Sequence, residues 1–402
     1  MTAAYGDANV AAPTLAGATI LQIVPALGDT PVARTALNVA QALLHVGARA
    51  LVAADDGPLV GALQAFGGEW VPLENDTANP LRLRSNARIV EQLIAHERID
   101  IVHAHGAGGA WSARVAADAI KAWMVTTLPD TPPDSSREWR RARALALGDR
   151  IIAPSDFVAR PVMERFGLPR EHVTLIPRAI DTAVFDPAAV APQRVAAMRA
   201  AWGIGPDEWI VLVPGRVAPW NGQIVVPDVA RTLADRGAQG IVFVIAGEDR
   251  THRRYARAVR KRARVLGVEA IVRLTGHCND MPAAFAASHV VAAPAVESPL
   301  LGQAVAQAQA MARPVVTTDV GILPEHVVAP PNMPESVRTG WIVKPGDFEA
   351  FAQALAIALS LDAPDYRAMA ARARQFADYM FSPQSVAAAH RAVYTSLLAR
   401  DI

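Results

Sequence analysis

Pro214-Gly215-Arg216-Val217-Ala218-Pro219-Trp220-Asn221-Gly222-Gln223 follows the apolar run 209–214 and leads into a helical pattern, so it reads as a strand-to-helix loop. Glycine lets backbone amides approach an anion, arginine offers a forked phosphate donor, and the helix N-terminus adds favourable partial charge. A diphosphate suits such a loop. By spacing alone, a glycine turn carrying a solvated arginine accounts for it better, so other residues must decide.

Outward from this loop, short apolar runs alternate with longer periodic segments. The pattern predicts strands at 209–214, 241–246, 271–274, 290–293 and 314–318. The first half repeats the style at 18–25, 48–54, 99–103, 123–127, 150–154 and 173–177. Near-continuous apolar strands separated by helices predict two doubly wound parallel sheets. Pro187, Pro192 and Pro206 surround one helical stretch, 194–202, and mark a linker. The predicted organisation is a first domain over 1–181, a linker over 182–206, a second domain over 207–380 and a terminal helix over 381–402 that returns to the first domain. In open sheets of this type ligands bind outside the carboxyl ends of the strands.

With 402 residues, 52% hydrophobic and 19% charged, the chain is long enough for two well-covered cores. A formal charge of +1 gives no whole-molecule attraction to nucleic acid, and no nucleic-acid partner is expected. Lysine occurs only at Lys121, Lys261 and Lys344, so nearly all positive charge is arginine, which does not shuttle protons at neutral pH. The single cysteine, Cys278, excludes an intrachain disulfide and cysteine-cluster metal sites and fits a reducing compartment. The uncharged stretch 8–28 lacks a basic leader and is interrupted by Pro13, Gly17 and Pro25, so it reads as an irregular start running into a buried strand. The neutral run 298–312 is too short to span a bilayer.

The loop Gly215-Arg216-x4-Asn221-Gly222 resembles the Gly-Arg-x4-Lys-Gly loop of family 4 glycosyltransferases. Further matching segments are Asp100-Ile101-Val102-His103-Ala104, Ile176-Pro177-Arg178-Ala179-Ile180-Asp181, Gly276-His277-Cys278-Asn279-Asp280-Met281-Pro282 and Ala308-Gln309-Ala310-Met311-Ala312-Arg313-Pro314-Val315-Val316. The resemblance covers nearly the whole chain. It implies a GT-B fold, two facing Rossmann-like domains with C-terminal helices crossing back. It also implies metal-independent transfer of a sugar, with retention, from a nucleotide diphosphate sugar to a cell-envelope glycan or glycolipid acceptor. No cofactor is implied beyond the donor substrate. The implied location is cytoplasmic, with peripheral contact at the cytoplasmic face of the inner membrane. By the same resemblance Gly215, Arg216, Asn221, Gly276, His277, Gly302, Gln303 and Gln307 line the donor site, and Arg216 and Glu297 are the catalytic candidates.

Several positions depart from that pattern. The family lysine is Asn221. The two glutamates of the family's Glu-x7-Glu motif fall on Pro299 and Gln307, with Glu297 nearby as a substitute for the first. Where relatives carry a histidine after the fifth strand, this chain reads Thr126-Thr127-Leu128-Pro129-Asp130. Of the glycine-rich loop after the first strand only Arg34 survives, in Thr30-Pro31-Val32-Ala33-Arg34. The alternative reading is therefore a catalytically degenerate relative that binds a nucleotide or glycan, or serves as the partner subunit of an active glycosyltransferase. A sugar-nucleotide epimerase fits less well, because no acid and base carboxylates assemble.

Three other features carry two readings each. His103 and His105 have the spacing of a two-ligand metal arm, but without an adjacent carboxylate pair pocket histidines account for them better, and no metal is expected. Glu248 and Asp249 either face the ligand edge or cap the following helix. Two helices are rich in arginine: one holds Arg253, Arg254, Arg257, Arg260, Lys261, Arg262 and Arg264; the other places Trp139 among Arg137, Arg140, Arg141 and Arg143. Solvated basic faces explain both. The second, with its indole, also suits an anionic lipid surface.

Overall fold

The computed structural model describes residues 14–75, 77, 79–297 and 302–399. The chain divides into two compact units. The first contains seven parallel strands: β1 (Thr19–Ala26), β2 (Arg49–Asp55), β3 (Glu69–Pro72), β4 (Ile101–Ala104), β5 (Trp123–Thr127), β6 (Arg150–Ala153) and β7 (Val173–Leu175). Helices α1 (Pro31–Leu44), α2 (Val60–Ala65), α3 (Pro80–Glu97), α4 (Ala107–Ile120), α5 (Ser136–Leu145) and α6 (Asp156–Phe166) connect them. The strand order is β3-β2-β1-β4-β5-β6-β7, which reverses direction between β1 and β4.

The second unit includes helix α7 (Pro192–Ala201) and builds a six-stranded parallel sheet. Its strands are β8 (Trp209–Pro214), β9 (Ile241–Ala246), β10 (Val272–Gly276), β11 (Val290–Ala293), β12 (Val315–Thr318) and β13 (Gly340–Val343). Helices α8 (Val226–Asp235), α9 (Arg253–Val265), α10 (Met281–Ala287), α11 (Gly302–Ala310), α12 (Phe348–Ser360) and α13 (Ala363–Phe381) cover it, and α14 (Pro383–Leu398) ends the described chain. The order β10-β9-β8-β11-β12-β13 reverses between β8 and β11.

Alternation along β8 shows why its sequence is apolar throughout. Ile210 and Leu212 pack with Val242, Val244, Phe285 and Val305 on one face. Val211 and Val213 pack with Phe243, Ile245, Val229 and Val259 on the other. Both faces are covered, so each of these strands needs apolar residues at every position. Removing one such side chain, as in Phe243→Ala, is expected to cost about 3–5 kcal/mol through lost burial and a cavity.

The eleven runs recognised in the sequence become strands, and two further strands, β3 and β13, lie outside those runs. Both are at sheet edges and have four residues each. β3 reads Glu-Trp-Val-Pro, with both ends polar or helix-breaking, and β13 is a short Gly-Trp-Ile-Val run. By packing, the segment from Pro177 onward, with α7, falls in the second unit. Ile180 donates its amide to the Phe381 carbonyl at 2.8 Å and shares a cluster with Ala306, Ala310, Ala377 and Phe381. From Val386 the last helix belongs to the first unit, five residues later than the boundary read from sequence. No described helix is long and apolar enough to cross a membrane.

Candidate functional site

In a doubly wound sheet the loops of the two strands flanking the reversal diverge and leave a crevice. In the second unit those strands are β8 and β11, so the loop 214–223 and the segment 294–297 are neighbours. Their packing is close enough to demand glycine. Gly222 has φ +70°, and a Cβ there would lie 1.8 Å from the Pro294 carbonyl oxygen. A Cβ on Gly247 would lie 1.9 Å from the Gly215 carbonyl oxygen. The amides of Val296 and Glu297 donate to the Trp220 carbonyl at 3.0 and 3.3 Å, and Val217 donates to the Glu248 carbonyl at 2.9 Å. The loop is held from both sides before any ligand binds.

This framework presents Arg216. Its carbonyl points inward and accepts from Asn221 Nδ2 at 2.8 Å and Gln223 Nε2 at 2.9 Å. Its side chain is exposed, and its guanidinium makes no ion pair among the described residues. Asn221 is buried, so the residue standing at the family lysine position is a brace for the loop rather than a ligand-facing group. Its Oδ1 is buried without a hydrogen-bond partner. Glu297 is exposed on the adjoining segment. Pro299 lies outside the described residues.

The opening of α11 is the second arm. Gly302 is buried; a Cβ there would meet Ile322 Cγ2 at 2.8 Å and His326 Cε1 at 3.0 Å. The Gly302 carbonyl receives His326 Nδ1 at 2.8 Å, and because a carbonyl only accepts, Nδ1 carries the proton. Burial lowers the His326 pKa to about 4, so the ring is neutral. Its carbonyl accepts from Gln309. Gln303 is exposed and Gln307 half-buried on the same helix. His326 was not legible in the sequence, because it ends the short turn Leu323–His326 with no spacing signal.

Gly276, at φ +76°, accepts from the Gly247 amide at 2.8 Å and so ties the end of β10 to the same edge. His277 is exposed and borders a cavity of about 410 Å³ with Met198, Trp202, Arg273 and Asp280. Arg273 is engaged by the carbonyls of Trp202 and Gly203 at 2.7 and 2.8 Å. Burial pushes the Cys278 thiol up, which favours its neutral form.

The remaining candidates have structural roles. Glu248 accepts from the amide and hydroxyl of Thr251 at 2.8 and 2.9 Å, so it caps the turn. Partial desolvation acts to raise its pKa, but the Thr251 and Arg250 hydrogen bonds and nearby Arg216 hold it below the usual value. Asp249 pairs with Arg260 at 2.7 Å. In the first unit, Arg34 pairs with Asp29 at 2.6 Å, and Thr30 caps α1.

His103 is held by packing rather than presented to a ligand edge. His103 is fully buried, with Nδ1 2.7 Å from the Tyr394 hydroxyl and Nε2 2.7 Å from Thr127 Oγ1. Burial, then His105 and His390, depresses its pKa well below the usual histidine value. Among the described residues no group of three or more His, Cys, Asp or Glu could hold a metal. The lipid reading of α5 also weakens. The Trp139 ring packs edge-on against Phe166 at 6.1 Å, with the Arg165 guanidinium 5.9 Å from its centre.

Comparison with known proteins follows the same two-part division. Residues 208–360 match the family "Glycosyl transferases group 1", and residues 32–184 match "Glycosyltransferase Family 4". Among curated relatives, D-inositol 3-phosphate glycosyltransferases of Kineococcus radiotolerans and Nocardia farcinica are 28% and 29% identical over 48% of this chain. The matches span 44% and 42% of those relatives, so the chain spans less than half their length. A glycosyltransferase of Rickettsia africae superposes with a TM-score of 0.77 at 23% identity, covering 95% of this chain and 99% of that one. Anabaena HepE, solved in complex with UDP and glucose, gives 0.70 at 20% identity over 94% and 100%. Both likenesses show the GT-B fold of two Rossmann-like domains. With both of its domains matched in order, the chain belongs to the family 4 glycosyltransferases.

Proposed function

We propose that the second unit binds a nucleoside diphosphate sugar at its strand reversal and that the sugar passes, with retention and without a metal, to a glycan or glycolipid acceptor of the cell envelope. Arg216 holds the diphosphate, the amides at Gly302 and Gln303 complete the phosphate pocket, and Gln307 lies near the ribose. When the bond from the sugar's anomeric carbon to the phosphate oxygen breaks, negative charge collects on the diphosphate. A fixed cation stabilises that charge more than it stabilises the ground state. The observation carrying this reading is the exposed, unpaired Arg216 guanidinium on a loop braced by Asn221, Gln223 and the Pro294 contact. UDP in the HepE complex makes uridine nucleotides the first donors to test.

A second reading is favoured by Asn221. Its amide is bound to the Arg216 carbonyl, so the loop provides one cation rather than two, and a chain with this site binds donor without turning it over at a useful rate. The test is incubation with uridine and guanosine diphosphate sugars and a panel of acceptors, with products detected by mass spectrometry. Product that disappears in Arg216→Ala supports transfer. Donor binding without product or hydrolysis supports the second reading.

A further inference from the structure

The helix α9 reads Arg-Arg-Tyr-Ala-Arg-Ala-Val-Arg-Lys-Arg-Ala-Arg-Val and contains no acidic residue. At about 100° per residue, Arg253, Arg254, Arg257, Arg260, Lys261 and Arg264 fall within an arc of about 120°. All six are exposed. Ala256, Val259 and Ala263 occupy the opposite side and are buried against the sheet, so the helix is fixed with its cationic stripe outward.

Other arginines of the same unit find carboxylates. Arg262 pairs with Asp228, Arg231 with Asp235 and Arg236 with Glu349. On the stripe, Arg260 pairs with Asp249, while Arg253, Arg254, Arg257, Lys261 and Arg264 make no ion pair among the described residues. Pairs such as Arg253–Arg257 and Arg260–Arg264 repel at helical spacing, and Arg253 and Arg254 lie at the positive end of the helix dipole. The stripe is therefore unfavourable in the isolated protein and is relieved by an anionic partner.

We propose that this stripe is a docking surface for the phosphate headgroups of an anionic lipid bilayer. Its shape fits a plane: it runs for about 17 Å along one outward face of a single helix. Val265, 67% exposed, continues it at the C-terminal end as an apolar contact for the headgroup boundary. Tyr255 is half-buried, and its hydroxyl accepts the Ile224 amide, so the helix offers no free ring on which nucleic-acid bases would stack. With a formal charge of only +1 overall, adsorption depends on this local stripe. The proposal is independent of donor binding at Arg216.

The experiment is sedimentation with vesicles of phosphatidylglycerol and phosphatidylcholine, and with vesicles of phosphatidylcholine alone. The wild-type chain is expected to bind only the anionic vesicles and to be released as salt shortens the screening length. The variant Arg254→Gln, Arg257→Gln, Lys261→Gln, Arg264→Gln is expected to lose about fivefold in partitioning per charge removed, hence roughly 600-fold in total. Its melting temperature should stay the same or rise, because like-charge repulsion is relieved. Should that variant fold poorly, the pair Arg254→Gln, Lys261→Gln is expected to lose about 25-fold. Equal anionic-vesicle binding by variant and wild type, or wild-type binding to duplex RNA but to neither vesicle, would overturn the proposal.

Discussion

Replacing Gly222 by alanine separates backbone strain from the packing that shapes the candidate site. Gly222 has φ +70°, and its missing Cβ would lie 1.8 Å from the Pro294 carbonyl oxygen. Gly237, at φ +84° after α8, has open space where a Cβ would stand, with nothing within 4 Å, and serves as the control. Gly237→Ala should cost about 1–2 kcal/mol, the left-handed backbone penalty alone. Gly222→Ala carries the same penalty and must also move the loop away from Pro294 by about 1 Å or more. That shift strains the two hydrogen bonds to the Trp220 carbonyl, each worth about 1 kcal/mol, for a total of about 2–4 kcal/mol. In a domain of this size each kcal/mol lowers the melting temperature by about 2–4 °C. Paired thermal melts should therefore show Gly222→Ala at least a few degrees below Gly237→Ala, with weaker nucleotide binding in Gly222→Ala only. Equal melting temperatures and equal affinities would refute the proposed bracing of the loop.

Three further outcomes follow from buried polar groups. The His326 pKa is lowered to about 4 in the fold, against about 6.5 when unfolded, so its stabilisation is present above pH 6.5 and is lost as pH falls toward 4. Between pH 7.5 and 5 the loss is about 2 kcal/mol, and His326→Gln should reduce the pH slope of urea-unfolding free energy in that window by up to ~1 proton. Tyr394→Phe leaves His103 Nδ1 without its 2.7 Å partner in a fully buried setting and should cost about 1–3 kcal/mol by the same unfolding measurement. Asn221→Lys removes the brace on the Arg216 carbonyl and puts an ammonium in a buried position. Calorimetry should show no gain in nucleotide affinity, and melting should show a loss of about 1–3 kcal/mol.

The two sheets were legible because each central strand is buried on both faces, and Ile210 to Val213 must then be apolar without interruption. Strand β3 escaped because Glu69 and Pro72 break its apolar pattern, and β13, though Trp341 and Val343 pack on one face and Ile342 on the other, is only four residues long. The position of Arg216 at a strand end was legible for the same reason. The orientation of Asn221 was not: the sequence registers a missing lysine, whereas its bond to the Arg216 carbonyl depends on how the turn closes. His103 and His105 show the converse. Their spacing fits a metal arm, but Tyr394, 291 residues away, and Thr127 take both nitrogens of His103. Only tertiary packing places Tyr394 there. Tertiary packing likewise turns the Trp139 ring of α5 against Phe166.

The central claim is that Arg216 is the diphosphate contact of a donor site. Isothermal titration of uridine and guanosine diphosphates into the wild-type chain and Arg216→Ala tests it most directly. Arg216 is exposed and the loop is braced through its backbone carbonyl, so the substitution leaves those hydrogen bonds in place. One nucleotide should bind the wild type, and the variant should bind it with affinity lower by about 1.5–3 kcal/mol, or roughly 10- to 150-fold. Unchanged affinity in Arg216→Ala, or no binding of either nucleotide to the wild type, would contradict the account.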